Sequence, residues 1–148
     1  MDNNNARVII PSKVFGKLAI SKKKIFHFPS GIPGLEKERY YTFLDIEEYK
    51  PLIWMVSKSG EYHFPVLTLD LLDDNDLDEV SKDVYLPQLQ YILSRNPKAL
   101  VYVILKLTPN LKRISLKAPI IADLTTMEGE QLILDRFGAE IPAQASVA

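Results

Sequence analysis

The chain has no cysteine. That absence excludes disulfide staples, thiolate nucleophiles and cysteine-bound zinc together. It also suits a reducing cytoplasm. Long apolar runs are missing too. The longest, "ALVYVIL" from Ala99 to Leu105, is far shorter than a bilayer-spanning helix requires. The start, "MDNNNARVII", lacks the basic end and apolar stretch of a signal peptide. Neither sign of charge dominates: 18 Lys and Arg against 19 Asp and Glu leave a formal net charge of -1. Such a chain has no global field to gather nucleic acid or an anionic membrane. The expectation is a soluble, cytoplasmic protein.

What is present suits one globular domain. The 148 residues are 47% hydrophobic and 25% charged, ordinary values for a single folded unit. A chain of this length buries about two-thirds of the surface its unfolded form exposes, enough for a core without staples.

The pattern is mainly β. Short β-branched and aromatic segments, divided by turn residues, recur from "KVFGKLAI" onward. They are "KIFHF", "YYTFLDI", "LIWMVS", "FPVLTLDLL", "LVYVILKL", "KRISL", "PIIADL" and "QLILD". Period-two alternation sets Phe26 and Phe28 on one face and Ile25 and His27 on the other. The same period puts Ile114 and Leu116 opposite Arg113, Ser115 and Lys117. "LVYVIL" is apolar on both faces, as a covered central strand requires. "YLPQLQYILSRNP" instead places Leu86, Leu89, Ile92 and Leu93 on one helix face, with Pro87 in the first turn and Pro97 beyond the end. "GLEKE" reads as a short helical start, and "TTMEGEQ" as a hairpin turn around Gly129. The fold expected is a small antiparallel β-barrel-like single domain with one short helix. Residues 1–6 read as a disordered end, 7–138 as the β domain and 139–148 as a loose tail.

Chemical motifs are few. "FPSGIPGLE" packs Pro29, Gly31, Pro33 and Gly34 into six residues. A phosphate loop needs backbone N–H groups and a following Lys-Ser/Thr or helix start. Pro29 and Pro33 have no N–H, and no such lysine follows, so a rigid turn is the better reading. In "LDLLDDNDLDEV", Asp74, Asp76 and Asp78 match the first ligand positions of a calcium loop. Glu79 stands where glycine is needed and Tyr85 where a bidentate Glu is needed. The acidic run therefore reads as a solvated loop, with Asp charge near a helix start, or as a patch that steers a basic partner. His27 and His63 have no sequence-local metal partner. No nucleophile elbow or His-Glu-x-x-His occurs. No catalytic, cofactor or metal residue is assigned. The lysine run Lys22, Lys23, Lys24 reads as a solvated strand edge.

Two stretches carry a family resemblance. "FPSGIPGLE" resembles the Phe-Pro-x-Gly-Ile-Pro-Gly-Phe-Glu signature of the FliW flagellar assembly factors. "LKAPIIADLTTMEGEQLILD" (Leu116 to Asp135) resembles that family's second block, and "VFGKLAI" its opening strand. The acidic middle, Leu71 to Pro97, is longer and more helical than the family pattern. The resemblance implies a barrel-like protein without catalysis or cofactor. Such a protein binds flagellin in the cytoplasm. When free of flagellin it binds and antagonises CsrA, an RNA-binding translational repressor, so that flagellin synthesis follows assembly. Neither a membrane nor nucleic acid is a direct partner in that reading.

The candidate partner-binding residues are Pro29, Gly31, Pro33 and Gly34 in the first block. Asp73, Asp74, Asp76 and Asp78 stand in the acidic run. Lys117 and Pro119 flank a strand expected at an exposed edge. The alternative reading is a β-barrel RNA-binding domain acting directly on a transcript.

Overall fold

The computed structural model describes residues 6–106 and 114–134. It is mainly β, with one short α-helix. The strands are β1 Arg7–Ser12, β2 Gly16–Ser21, β3 Phe26–His27, β4 Tyr40–Leu44, β5 Ile53–Ser57, β6 His63–Thr68, β7 Ala99–Ile104, β8 Ile120–Asp123 and β9 Glu128–Gln131. The helix α1, Leu86–Ser94, lies between β6 and β7.

Strands β3 to β9 close a barrel in simple chain order. Every consecutive pair in it is antiparallel. Seven strands that alternate in direction must begin and end pointing the same way. The closing pair β3–β9 is accordingly parallel, and it is one residue pair long, His27↔Glu128. The parallel seam is thus a consequence of odd strand number.

Alternation along each strand divides the apolar residues between two cores. Phe28, Tyr41, Met55, Val66, Tyr102 and Ile120 fill the barrel. A barrel of this size is closed by its own side chains rather than hollow. Inside, Phe43 stacks on Tyr102 with ring centroids 4.1 Å apart. The neighbouring residues Val101 and Val103 point the other way, with Ile121, into an outer core. Helix α1 covers that outer face with Leu89 and Ile92, both fully buried. Each such side chain contributes about 1.5–3 kcal/mol relative to exposure. Val101, Tyr102 and Val103 are all buried, as a strand apolar on both faces should be.

The ribbon β1–β2 stands apart as a two-stranded sheet. Its turn reaches the barrel's outer wall. Phe15 meets Trp54 and His63 edge-on at 5.7 and 5.8 Å, and Ser12 Oγ lies 2.7 Å from His63 Nε2.

Four local expectations are corrected. The hairpin turn after β8 is Leu124–Met127, with Met127 at φ 57, and Gly129 lies inside β9. A glycine is needed there for another reason: a Cβ would stand 2.5 Å from the Phe28 ring. "GLEKE" forms turns rather than a helix, because Gly34 at φ +88 cannot continue a right-handed turn. β1 was absent from the strand pattern, since Pro11 interrupts it; an edge strand tolerates proline. Among the described residues of "KRISL", Ile114 forms a single bridge to Leu77 instead of a strand. The faces are nonetheless as expected, with Leu116 buried and Ser115 and Lys117 exposed. Arg113 and the tail 139–148 lie outside the described residues.

Candidate functional site

The Pro/Gly segment after β3 is two consecutive turns. The first returns Gly31 N–H to the Phe28 carbonyl at 2.8 Å. Gly31 has φ +67, and a Cβ on it would sit 2.7 Å from Glu36 Cα. The second turn runs Ile32-Pro33-Gly34-Leu35, closed by Leu35 N–H on the Ile32 carbonyl at 2.7 Å. Proline at its second position and a positive-φ glycine at its third are the requirements of a type II turn. Arg39 staples the pair: its Nη1 donates to the Pro29 carbonyl at 2.7 Å and its Nε to the Glu36 carbonyl at 3.0 Å. Gly34 N–H donates to the Glu36 carboxylate at 2.8 Å, and this bond lowers the Glu36 pKa. Phe28 and Ile32 anchor the corner in the barrel core. Pro29, Pro33 and Gly34 are left exposed, while Gly31 is buried.

The acidic segment is equally built. Asp73 and Asp76 cap each other reciprocally: Asp73 accepts from Asn75 N–H, and Asp76 accepts from Asp73 N–H, both at 3.0 Å. Asp78 caps the helical stretch that leads to α1, accepting from Ser81 N–H at 2.7 Å. Asp73, Asp74 and Asp76 are exposed and Asp78 is half-buried. Among the described residues no group of three or more His, Asp or Glu stands close enough to hold a metal ion.

The start of the second block, Leu116 to Ile120, meets that segment directly. Leu116 N–H donates to the buried Ser81 Oγ at 2.7 Å, and Ile114 N–H to the Asp76 carbonyl at 2.8 Å. The block's own end, beyond β9, then runs back along this start. Leu132 N–H donates to the Pro119 carbonyl at 2.9 Å and Leu134 N–H to the Lys117 carbonyl at 2.7 Å. Lys117 is exposed and Pro119 is buried. The strand they precede, β8, is paired on both sides, by β7 and β9. The expected exposed edge is not there: barrel closure covers it.

The three candidate places are therefore connected unequally. The acidic segment and the start of the second block touch. The Pro/Gly corner lies at the other end of β9, where Phe28 covers Gly129. Arg39 and Ser81, which hold these segments in shape, carried no sequence signal, because their partners are carbonyl and amide groups that only folding brings near.

Comparison with known proteins bears on the same segments. A family model described as FliW protein matches residues 9–146. The flagellar assembly factor FliW of Alkaliphilus metalliredigens is 31% identical over 133 residues, covering 86% of this chain and 80% of its own. That of Thermotoga maritima is 32% identical over 126 residues, covering 81% of each. A crystal structure of the flagellar assembly factor FliW superposes with a TM-score of 0.61 at 27% identity. It covers 85% of this chain and 88% of that one.

Proposed function

The chain belongs to the FliW family, and on that premise we propose that it is a non-enzymatic flagellar assembly factor of the cytoplasm that binds flagellin. When free of flagellin it captures and antagonises CsrA, so that flagellin synthesis is coupled to assembly. The observation that carries this reading is the family match, which runs from residue 9 to 146 and includes both signature blocks. The geometry supports a binding role. The blocks are rigid, hydrogen-bonded surface features joined through β9, and the exposed carboxylates of Asp73, Asp74 and Asp76 offer a basic partner a favourable approach. Of the candidate residues in the two blocks, Pro29, Pro33, Gly34 and Lys117 are exposed. Gly31, Asp78 and Pro119 act by holding those surfaces in shape.

Direct transcript binding, the alternative, gains no support from the aromatics beside the lysine run. Phe26 and Phe28, the aromatics beside the lysine run, are buried in the barrel, whereas single-strand binding needs exposed aromatic faces. The test is a pull-down from a flagellated cytoplasm, with and without excess flagellin. CsrA should be recovered without the excess and displaced by it. Recovery of neither protein defeats the reading. Tight, salt-sensitive retention of flagellin leader RNA by the protein alone would favour the alternative.

A further inference from the structure

Among the described residues the barrel has no free strand edge, but the β1–β2 ribbon does. The two edges of the ribbon differ. β1 carries Pro11, which has no N–H for a further strand, and its Pro11 carbonyl lies against Gly60, where a Cβ would collide. Among the described residues β2 has β1 as its single neighbour. Lys22 N–H bonds the Ala6 carbonyl, so hydrogen-bonded pairs fall on the even-numbered residues of the register that runs from Arg7↔Ser21 to Ser12↔Gly16. The main-chain groups of Lys17, Ala19 and Ser21 therefore point away from β1. No main-chain bond from another described segment reaches them.

Charge selects what such an edge accepts. Lys17 lies on β2, and Lys22, Lys23 and Lys24 form the turn that follows it. All four are exposed, and none is in an ion pair among the described residues. A second copy of β2 would bring like charges together, which disfavours edge-to-edge self-pairing. An acidic strand would meet the charge of Lys17 on the strand and of the lysine turn at its end.

We propose that the outer edge of β2 is a docking site for an extended, acidic segment of a partner protein, which adds as a third strand to the ribbon. Main-chain bonds from Lys17, Ala19 and Ser21 supply the ladder, and the lysines supply preference and register. None of its residues belongs to the two signature blocks, and the inference does not depend on which partners the family binds.

The test uses the full chain, isotopically labelled, and a blocked heptapeptide alternating glutamate with threonine. Binding should slow amide exchange at Lys17, Ala19 and Ser21 and leave the barrel amides unchanged. The same peptide N-methylated at alternate residues should fail to bind, because it keeps the charge and loses the ladder. Joint Lys17→Glu, Lys22→Glu, Lys23→Glu and Lys24→Glu substitution at these exposed positions should weaken binding by about tenfold or more at low salt. The proposal is overturned by equal binding of the N-methylated peptide, by equal binding of a lysine-threonine peptide, or by protection elsewhere than β2. Preference of the same lysines for a single-stranded oligonucleotide would also overturn it.

Discussion

Ser12 and His63 settle each other's hydrogen positions. Ser12 Oγ accepts from Val14 N–H at 3.2 Å and Phe15 N–H at 2.9 Å, which fills its acceptor capacity. Its own proton is then donated to His63 Nε2, 2.7 Å away. That requires a neutral imidazole with the proton on Nδ1. Burial lowers the His63 pKa, opposed in part by a bond to the Glu61 backbone. In the unfolded chain the ring takes up a proton near about pH 6.5, before the folded ring does. The stability linked to His63 is therefore fully present above that value and is lost as pH falls through it toward the folded pKa. Urea midpoints between about pH 7.5 and about pH 5.5 should fall more steeply for the wild type than for His63→Gln. Equal slopes would refute the neutral latch. Glu130, whose pKa is raised by burial, contributes the opposite slope in the acid range, but it is present in both proteins and cancels. Sequence could not reveal this pair: its members are 51 residues apart. The Pro33-Gly34 turn was legible because its requirements are local.

The acidic segment and the helix form one element, and its start depends on side chains that bond to the backbone. Pro87, in the first turn of α1, has no N–H, and its ring crowds the carbonyl four residues back. The turn before it, Ser81–Tyr85, widens to a π-helical turn, with Leu86 N–H reaching the Ser81 carbonyl. The apolar period of Leu86, Leu89, Ile92 and Leu93 was visible in sequence. The widened turn was not, because periodicity reports which face is buried and not the pitch of one turn. Ser81 is fully buried and joins this element to the second block through Leu116 N–H. Ser81→Ala leaves that amide buried without a partner, so unfolding free energy should drop by about 1–3 kcal/mol. A drop under about 0.5 kcal/mol, the range of an ordinary surface change, would show that the bond contributes little.

Closure of an odd-numbered barrel concentrates its weakness at one place. From β4 to β9, antiparallel neighbours share three or four residue pairs, such as Tyr41↔Ser57 to Leu44↔Trp54, and β3–β4 share two. The seam has His27↔Glu128 alone, with His27 N–H on the Met127 carbonyl at 2.9 Å. Its outer side carries a half-exposed contact, His27 Nδ1 to Glu128 at 3.8 Å, which solvent screens. Amide exchange should therefore open the seam first: the His27 amide should exchange at least about tenfold faster than that of Met55 or Val66. Equal protection would show that the packing of Phe28 on Gly129 braces the seam as firmly as a full ladder.

Sequence by itself determined the mainly β character, the single helix, the two-sided burial of the central strand and the family signatures. These follow from side-chain periodicity and turn chemistry, which act over a few residues. Barrel closure was decided by tertiary structure, because strand pairing links residues far apart in the chain. Closure in turn removed the edge expected beside Lys117 and Pro119. It placed Gly129 under Phe28 rather than in a turn, and it left the β1–β2 ribbon as the free strand edge among the described residues. The acidic run was legible as charge. That Asp73, Asp76 and Asp78 also act as caps was not, since a cap is recognised by where the backbone N–H groups point, and folding sets that.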